Sequence, residues 1–126
     1  MDSLRGTKVL IVEDEPLIAI LLEDMMMDLG VQVTDRAATL DQAQAAAKRD
    51  GFDAAILDIN LHGRMSYPAA EELTRRGVPI VMVSRYARDG APPTLANVVL
   101  IPKPYQTDQI AAALARVLGL RPSNES

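Results

Sequence analysis

Groups able to do chemistry sit at the ends of apolar runs. In VLIVEDEP, Val9–Pro16, four aliphatic residues lead straight into Glu13, Asp14 and Glu15, and then a proline. Three neighbouring carboxylates repel one another, so a fold that gathers them needs a reason. A second run, Ala54–Leu57, ends at Asp58; a third, Val78–Val83, ends at Ser84; a fourth, Val98–Ile101, leads to Lys103. Each group alone has a plainer reading. Acids before a helix favour its dipole, an aspartate caps a turn, a serine is a loop hydroxyl, and a lysine before proline is a solvated charge. Independent caps have no reason to converge, however. Carboxylates, a hydroxyl and an ammonium at successive strand ends together describe one site.

The elements that must position these groups follow from periodicity. Val9–Val12 reads as a strand buried on both faces. Pro16–Leu29 reads as a helix started by Pro16, with Ile18, Leu21, Leu22, Met25 and Leu29 on its inner face and Gly30 closing it in the left-handed conformation. Val31–Thr34 is a short strand. Leu40–Lys48 is an alanine-rich helix with Thr39 as its cap. Ala54–Leu57 is a third strand, Tyr67–Arg76 a helix closed by Gly77, and Val78–Val83 a fourth strand. Gly90, Pro92 and Pro93 argue against a full helix over Arg88–Asn97. Val98–Ile101 is a fifth strand. Thr107–Leu118 is the last helix, facing inward with Ile110, Ala113, Leu114, Val117 and Leu118. Strands alternating with helices imply an α/β fold with parallel pairing and right-handed crossovers, and ligands then sit beyond the carboxyl ends of the strands.

Bulk properties bound the function. The 126 residues suffice for one domain with a core. We expect a single domain over 1–126, with its core at about 7–119 and a polar tail at 120–126. A net charge of −4 argues against broad binding to nucleic acid or anionic membrane. The absence of cysteine rules out disulfides, thiolate metal sites and cysteine nucleophiles, and fits a reducing, cytoplasmic setting. No apolar run reaches the length of a membrane span. His62, the sole histidine, reads as exposed loop.

VEDEP, ILDIN, VMVSRY and IPKPY, in that order, resemble the receiver domain of bacterial response regulators. The resemblance implies a flavodoxin-like (βα)5 fold, a doubly wound parallel five-stranded sheet of order 2-1-3-4-5. It implies that Asp58 accepts a phosphoryl group from a histidine kinase or histidine phosphotransfer protein. It further implies Mg²⁺, bound directly by Asp14 and Asp58, with the Asn60 backbone carbonyl as a third ligand and Glu13 acting through water. Lys103 and Ser84 would contact phosphoryl oxygens, and the Lys103–Pro104 bond would be cis. The role is that of a regulator signalling by protein contact, or of a phosphate sink, rather than that of an enzyme. A homodimer through the fourth and fifth strands and last helix is compatible with this pattern. LDINLHGRMSYP with GVPIVMVSRY also resembles the FAT GUY group of single-domain regulators, although Arg85 stands where that group's loop has a small glycine.

Many receivers carry an aromatic switch three residues before the lysine. Here that position is Leu100, so Tyr86, beside Arg85, is the candidate moving side chain, and movement of Ser84–Pro93 the candidate readout. Two other classes fit less well. A haloacid-dehalogenase-type phosphohydrolase needs a second aspartate where Asn60 stands. A flavodoxin-like flavin or nucleotide binder needs a Gly-, Ser- or Thr-rich phosphate loop where the three acids lie. An excised receiver of a larger hybrid kinase or regulator is a further alternative.

Overall fold

The computed structural model describes residues 3–85 and 91–120. In chain order its elements are β1 (Lys8–Val12), α1 (Pro16–Asp28), β2 (Gln32–Ala37), α2 (Leu40–Ala47), β3 (Ala54–Asp58), β4 (Asn60–Leu61), β5 (Arg64–Met65), α3 (Tyr67–Arg75), β6 (Ile80–Ser84), a 3-10 turn (Pro93–Leu95), β7 (Val99–Pro102) and α4 (Thr107–Leu118). Five strands form one parallel sheet of order β2-β1-β3-β6-β7. This is the expected 2-1-3-4-5 order once the small β4–β5 hairpin is set aside.

Alternation along the central strands divides the core in two. Leu10, Val12, Ala55, Leu57 and Met82 point to the face covered by α2 and α3. Val9, Ile11, Ile56, Val81 and Val83 point to the face covered by α1 and α4. Strands buried on both faces are expected to be aliphatic throughout, which is why VLIV, AAIL and IVMV carry no polar alternation. β2 lies at the sheet edge and does alternate, so its charged Asp35 and Arg36 are tolerated and the strand runs on to Ala37, beyond the expected end at Thr34. At the other boundary Val78 precedes the strand, which begins at Ile80.

The helix ends follow local chemistry. The Thr39 hydroxyl accepts the Gln42 N–H at 3.1 Å, as expected of a cap. Gly30 ends the first crossover at φ +74°, where a Cβ would also come within 3.1 Å of the Arg5 side chain. In α4 a capping box joins Gln106 and Gln109, and Ile110, Ala113 and Leu114 are buried as expected.

Two expectations need correction. The inner face of α1 carries Leu22, as expected, with Met25 and Leu29 partly buried against the same core, but its second buried residue is Met26 and Leu21 turns outward. Leu21 is half exposed, and Leu17, Ile20 and Met27 are exposed with it. Apolar residues surround so much of this helix that periodicity did not fix its rotation. The Asn60–Met65 hairpin was not anticipated. Among the described residues, the β6–β7 connection carries one 3-10 turn opened by Pro92 and Pro93, in keeping with the weak helix signal there. Tyr86 and Gly90 lie outside the described residues.

Candidate functional site

β1, β3, β6 and β7 end side by side, and backbone bonds lock their ends together. The Ile59 N–H donates to the Val83 carbonyl at 3.0 Å, and the Lys103 N–H donates to the Ser84 carbonyl at 2.8 Å. The groups that follow each strand therefore meet. Lys103 Nζ donates to Asp58 Oδ2 at 2.7 Å and to Glu13 Oε1 at 3.1 Å. The three side chains are each less than a tenth exposed. The Lys103–Pro104 peptide is cis.

Burial dominates the electrostatics. It pushes the Glu13 carboxyl up to about 7; the Glu15 N–H bonded to it opposes this, Asp58 adds to it, and Lys103 opposes it again. Burial alone would lower the Lys103 ammonium, but Asp58 and Glu13 more than offset it and hold its pKa above the ordinary lysine value. Two buried carboxyls sharing one ammonium leave the site short of positive charge.

Asp14, with its side chain about a tenth exposed, completes the acidic cluster. One carboxylate oxygen each from Glu13, Asp14 and Asp58 lie within 4.8 Å of one another. Such hard oxygen donors fit Mg²⁺, which takes one or two protein carboxylates and keeps several waters. Asp14, Asp58, Asn60, Ser84 and Lys103 line one pocket of about 190 Å³. The expected residues are thus brought together, with Ser84 buried at the end of β6. Asn60 also holds the loop: its N–H donates to Asp58 Oδ1 at 3.2 Å, and its side-chain oxygen accepts the Gly63 N–H at 2.6 Å.

Two residues read for other roles also border the site. His62 is exposed loop, as expected, yet it reaches the acidic cluster. It adopts φ +53°, its N–H donates to Asp14 Oδ2 at 2.9 Å, and its ring Nδ1 lies 3.4 Å from the same oxygen. The signal was the His62–Gly63 pair, a turn that folds the hairpin back onto Asp14. Glu15 stands at the start of α1 as its N-cap residue, in keeping with the helix-start reading, but its side chain makes no cap bond and faces Arg85, with 3.5 Å between Oε1 and Nη2. A larger groove of about 450 Å³ lies alongside, between α1 and Pro104–Tyr105. It is mostly apolar and holds none of the acids. On its wall the Tyr105 hydroxyl is buried with no hydrogen-bond partner among the described residues, and burial pushes this phenol up to about 12.

Comparison with known proteins agrees with this geometry. The model of the response regulator receiver domain family matches residues 9–115. The phyllosphere-induced regulator PhyR of Methylorubrum extorquens is 34% identical over 119 residues, which is 90% of this chain and 44% of that protein. The chain spans less than half the length of the curated relatives it matches. SdrG of Sphingomonas melonis Fr1 is 39% identical, with a TM-score of 0.78 over 94% of this chain and 99% of SdrG. The receiver domain of a Pseudomonas aeruginosa PAO1 sensor histidine kinase is 30% identical, with a TM-score of 0.77 over 90% of this chain and 98% of that one; its structure has a magnesium ion coordinated in the active-site cleft.

Proposed function

The chain belongs to the response regulator receiver domain family, and from that premise we propose that Asp58 accepts a phosphoryl group from a phosphohistidine donor, a histidine kinase or a histidine phosphotransfer protein. The observation that carries this reading is the buried Asp58 carboxylate, held by Lys103 at 2.7 Å and opening into a pocket shared with Asp14 and Ser84. In the transfer, an Asp58 oxygen bonds to phosphorus as the donor's N–P bond breaks. The electron pair stays on the imidazole, which takes its proton from solvent.

Asp14 and Asp58 would hold Mg²⁺, with the Asn60 carbonyl beside them and Glu13 one water away. The ion, when bound, supplies the charge neutralisation that lets two anionic groups meet. Lys103 would follow the incoming phosphoryl oxygens as a compact charge, and Ser84 would donate to another oxygen. The remaining catalysis is positioning.

The protein is then a regulator, not a turnover enzyme, signalling by protein contact or serving as a phosphate sink. The phosphohydrolase reading is weaker because Asn60 cannot replace a second carboxylic acid. Among the described residues no helix is long and apolar enough to cross a membrane. A beryllofluoride titration tests the proposal. With Mg²⁺ present, NMR shifts should move at Asp58, Ser84 and Lys103, whereas free flavin should move none. Shifts with flavin, or none with beryllofluoride, would refute it.

A further inference from the structure

We propose that Arg85 is a phosphoryl-binding residue held in reserve by Glu15: its guanidinium faces Glu15 across the mouth of the acceptor pocket in the unmodified chain, and it moves onto the phosphoryl group once Asp58 carries one. This rests on the acceptor reading of Asp58.

Position is the first argument. Arg85 directly follows Ser84 at the end of β6, and it lines the same pocket as Asp58, Ser84 and Lys103. The strand end beneath it is fixed by the Lys103 N–H bond to the Ser84 carbonyl, so the guanidinium can turn without moving its base.

Relative strength is the second argument. The Arg85–Glu15 contact is long at 3.5 Å, and both side chains are about half exposed. Such pairs contribute little and are readily exchanged. A phosphoryl group offers three acceptor oxygens in a buried setting. Charge-assisted, bidentate guanidinium–phosphoryl bonds are roughly twice as strong as neutral ones.

Charge balance is the third. Lys103 already serves both Asp58 and Glu13, so a phosphoryl group arriving on Asp58 brings more negative charge than that ammonium can answer. Arg85 is a second cation on the same pocket wall. Glu15 keeps it from collapsing onto the unmodified carboxylates, where it would compete with a metal ion.

The same residue borders the apolar groove beside α1. Its departure from Glu15 therefore changes the wall of that groove, and phosphorylation is felt outside the pocket.

The test uses the full chain with Mg²⁺ and follows beryllofluoride binding by NMR. The panel is wild type, Arg85→Ala, Arg85→Lys and Glu15→Gln. Arg85→Ala should weaken binding about tenfold, the scale of one charge-assisted contact, and Arg85→Lys should restore part of it. Glu15→Gln should tighten binding about threefold by freeing the guanidinium, because the Glu15 side chain makes no cap hydrogen bond whose loss would confuse the result. Unchanged affinity in Arg85→Ala, with normal binding by wild type, would overturn the proposal alone. Tighter binding in Arg85→Ala would show a steric lid instead and also overturn it. No Mg²⁺-dependent binding by wild type would overturn the acceptor reading, and this proposal with it.

Discussion

Two groups of carboxylate–cation contacts in this protein share a shortest distance of 2.7 Å and differ in burial and charge balance. At the sheet edge, Arg36 makes a bidentate pair with Glu23 at 2.7 and 2.8 Å, and Arg49 reaches Asp35 at 2.7 Å. Each has a partner of its own, and the arginines are more than half exposed. At the carboxyl end of β1 and β3, Lys103 reaches Asp58 at the same 2.7 Å, but it is buried and shared with Glu13. The edge pairs are balanced and solvated, so they adjust stability slightly. The buried group is unbalanced and desolvated, an arrangement that costs stability unless a further cation completes it. Distance alone therefore does not separate a structural ion pair from a working one; burial and charge balance do.

Lys103→Met gives the largest effect. It leaves two buried carboxyls without their ammonium, and the metal-free chain should lose about 3 kcal/mol in urea unfolding. A loss as small as that of a surface pair would erase the contrast between the two regions.

Asp58→Asn comes next and has the opposite sign. Removing one carboxylate leaves Glu13 with Lys103 to itself, so the metal-free chain should gain about 1 kcal/mol. The wild type should gain about 2.7 kcal/mol when Mg²⁺ is raised to about a hundredfold above its Kd, and the variant far less. Thermal unfolding with and without Mg²⁺ reads both. A destabilised variant that still responds to Mg²⁺ would mean that Asp58 is an ordinary structural acid.

The smallest effect belongs to the edge. The Arg36 guanidinium bonded to Glu23 holds that carboxyl below its ordinary value. A depressed carboxyl stabilises the fold above its unfolded pKa, and the gain is lost as pH falls through its folded value. Glu23→Gln should thus cost no more than about 0.5 kcal/mol at neutral pH, and nothing in acid well below the carboxyl range. Urea unfolding at the two pH values checks this. A cost that persists in acid would point to packing rather than charge.

The sheet and the site were legible where chemistry and periodicity coincide. The runs before Glu13, Asp58 and Ser84 are unbroken because their strands are covered on both faces, and parallel strands must end on the same side. Less was legible where one residue had to choose among equivalent faces. In α1 the series Leu17, Ile18, Ile20, Leu21, Leu22, Met25, Met26 and Met27 offers apolar surface almost all round, and only packing decides that Leu22 and Met26 go inside. β2 runs past the expected end at Thr34, where β-branched character stops, because an edge strand can carry Asp35 and Arg36. The hairpin at Asn60–Met65 is too short to show a period. It brings His62 to Asp14 through two successive left-handed residues, His62 and Gly63, a placement that hydrophobic patterning does not encode.

The most direct measurement is the intact mass of wild type and Asp58→Asn after incubation with a small phosphodonor, with Mg²⁺ and with a chelator. The acceptor account predicts one added phosphoryl mass on the wild type, base-labile, present with Mg²⁺ and absent with the chelator, and none on Asp58→Asn under either condition. Equal labelling of the two proteins, or labelling indifferent to Mg²⁺, would contradict it.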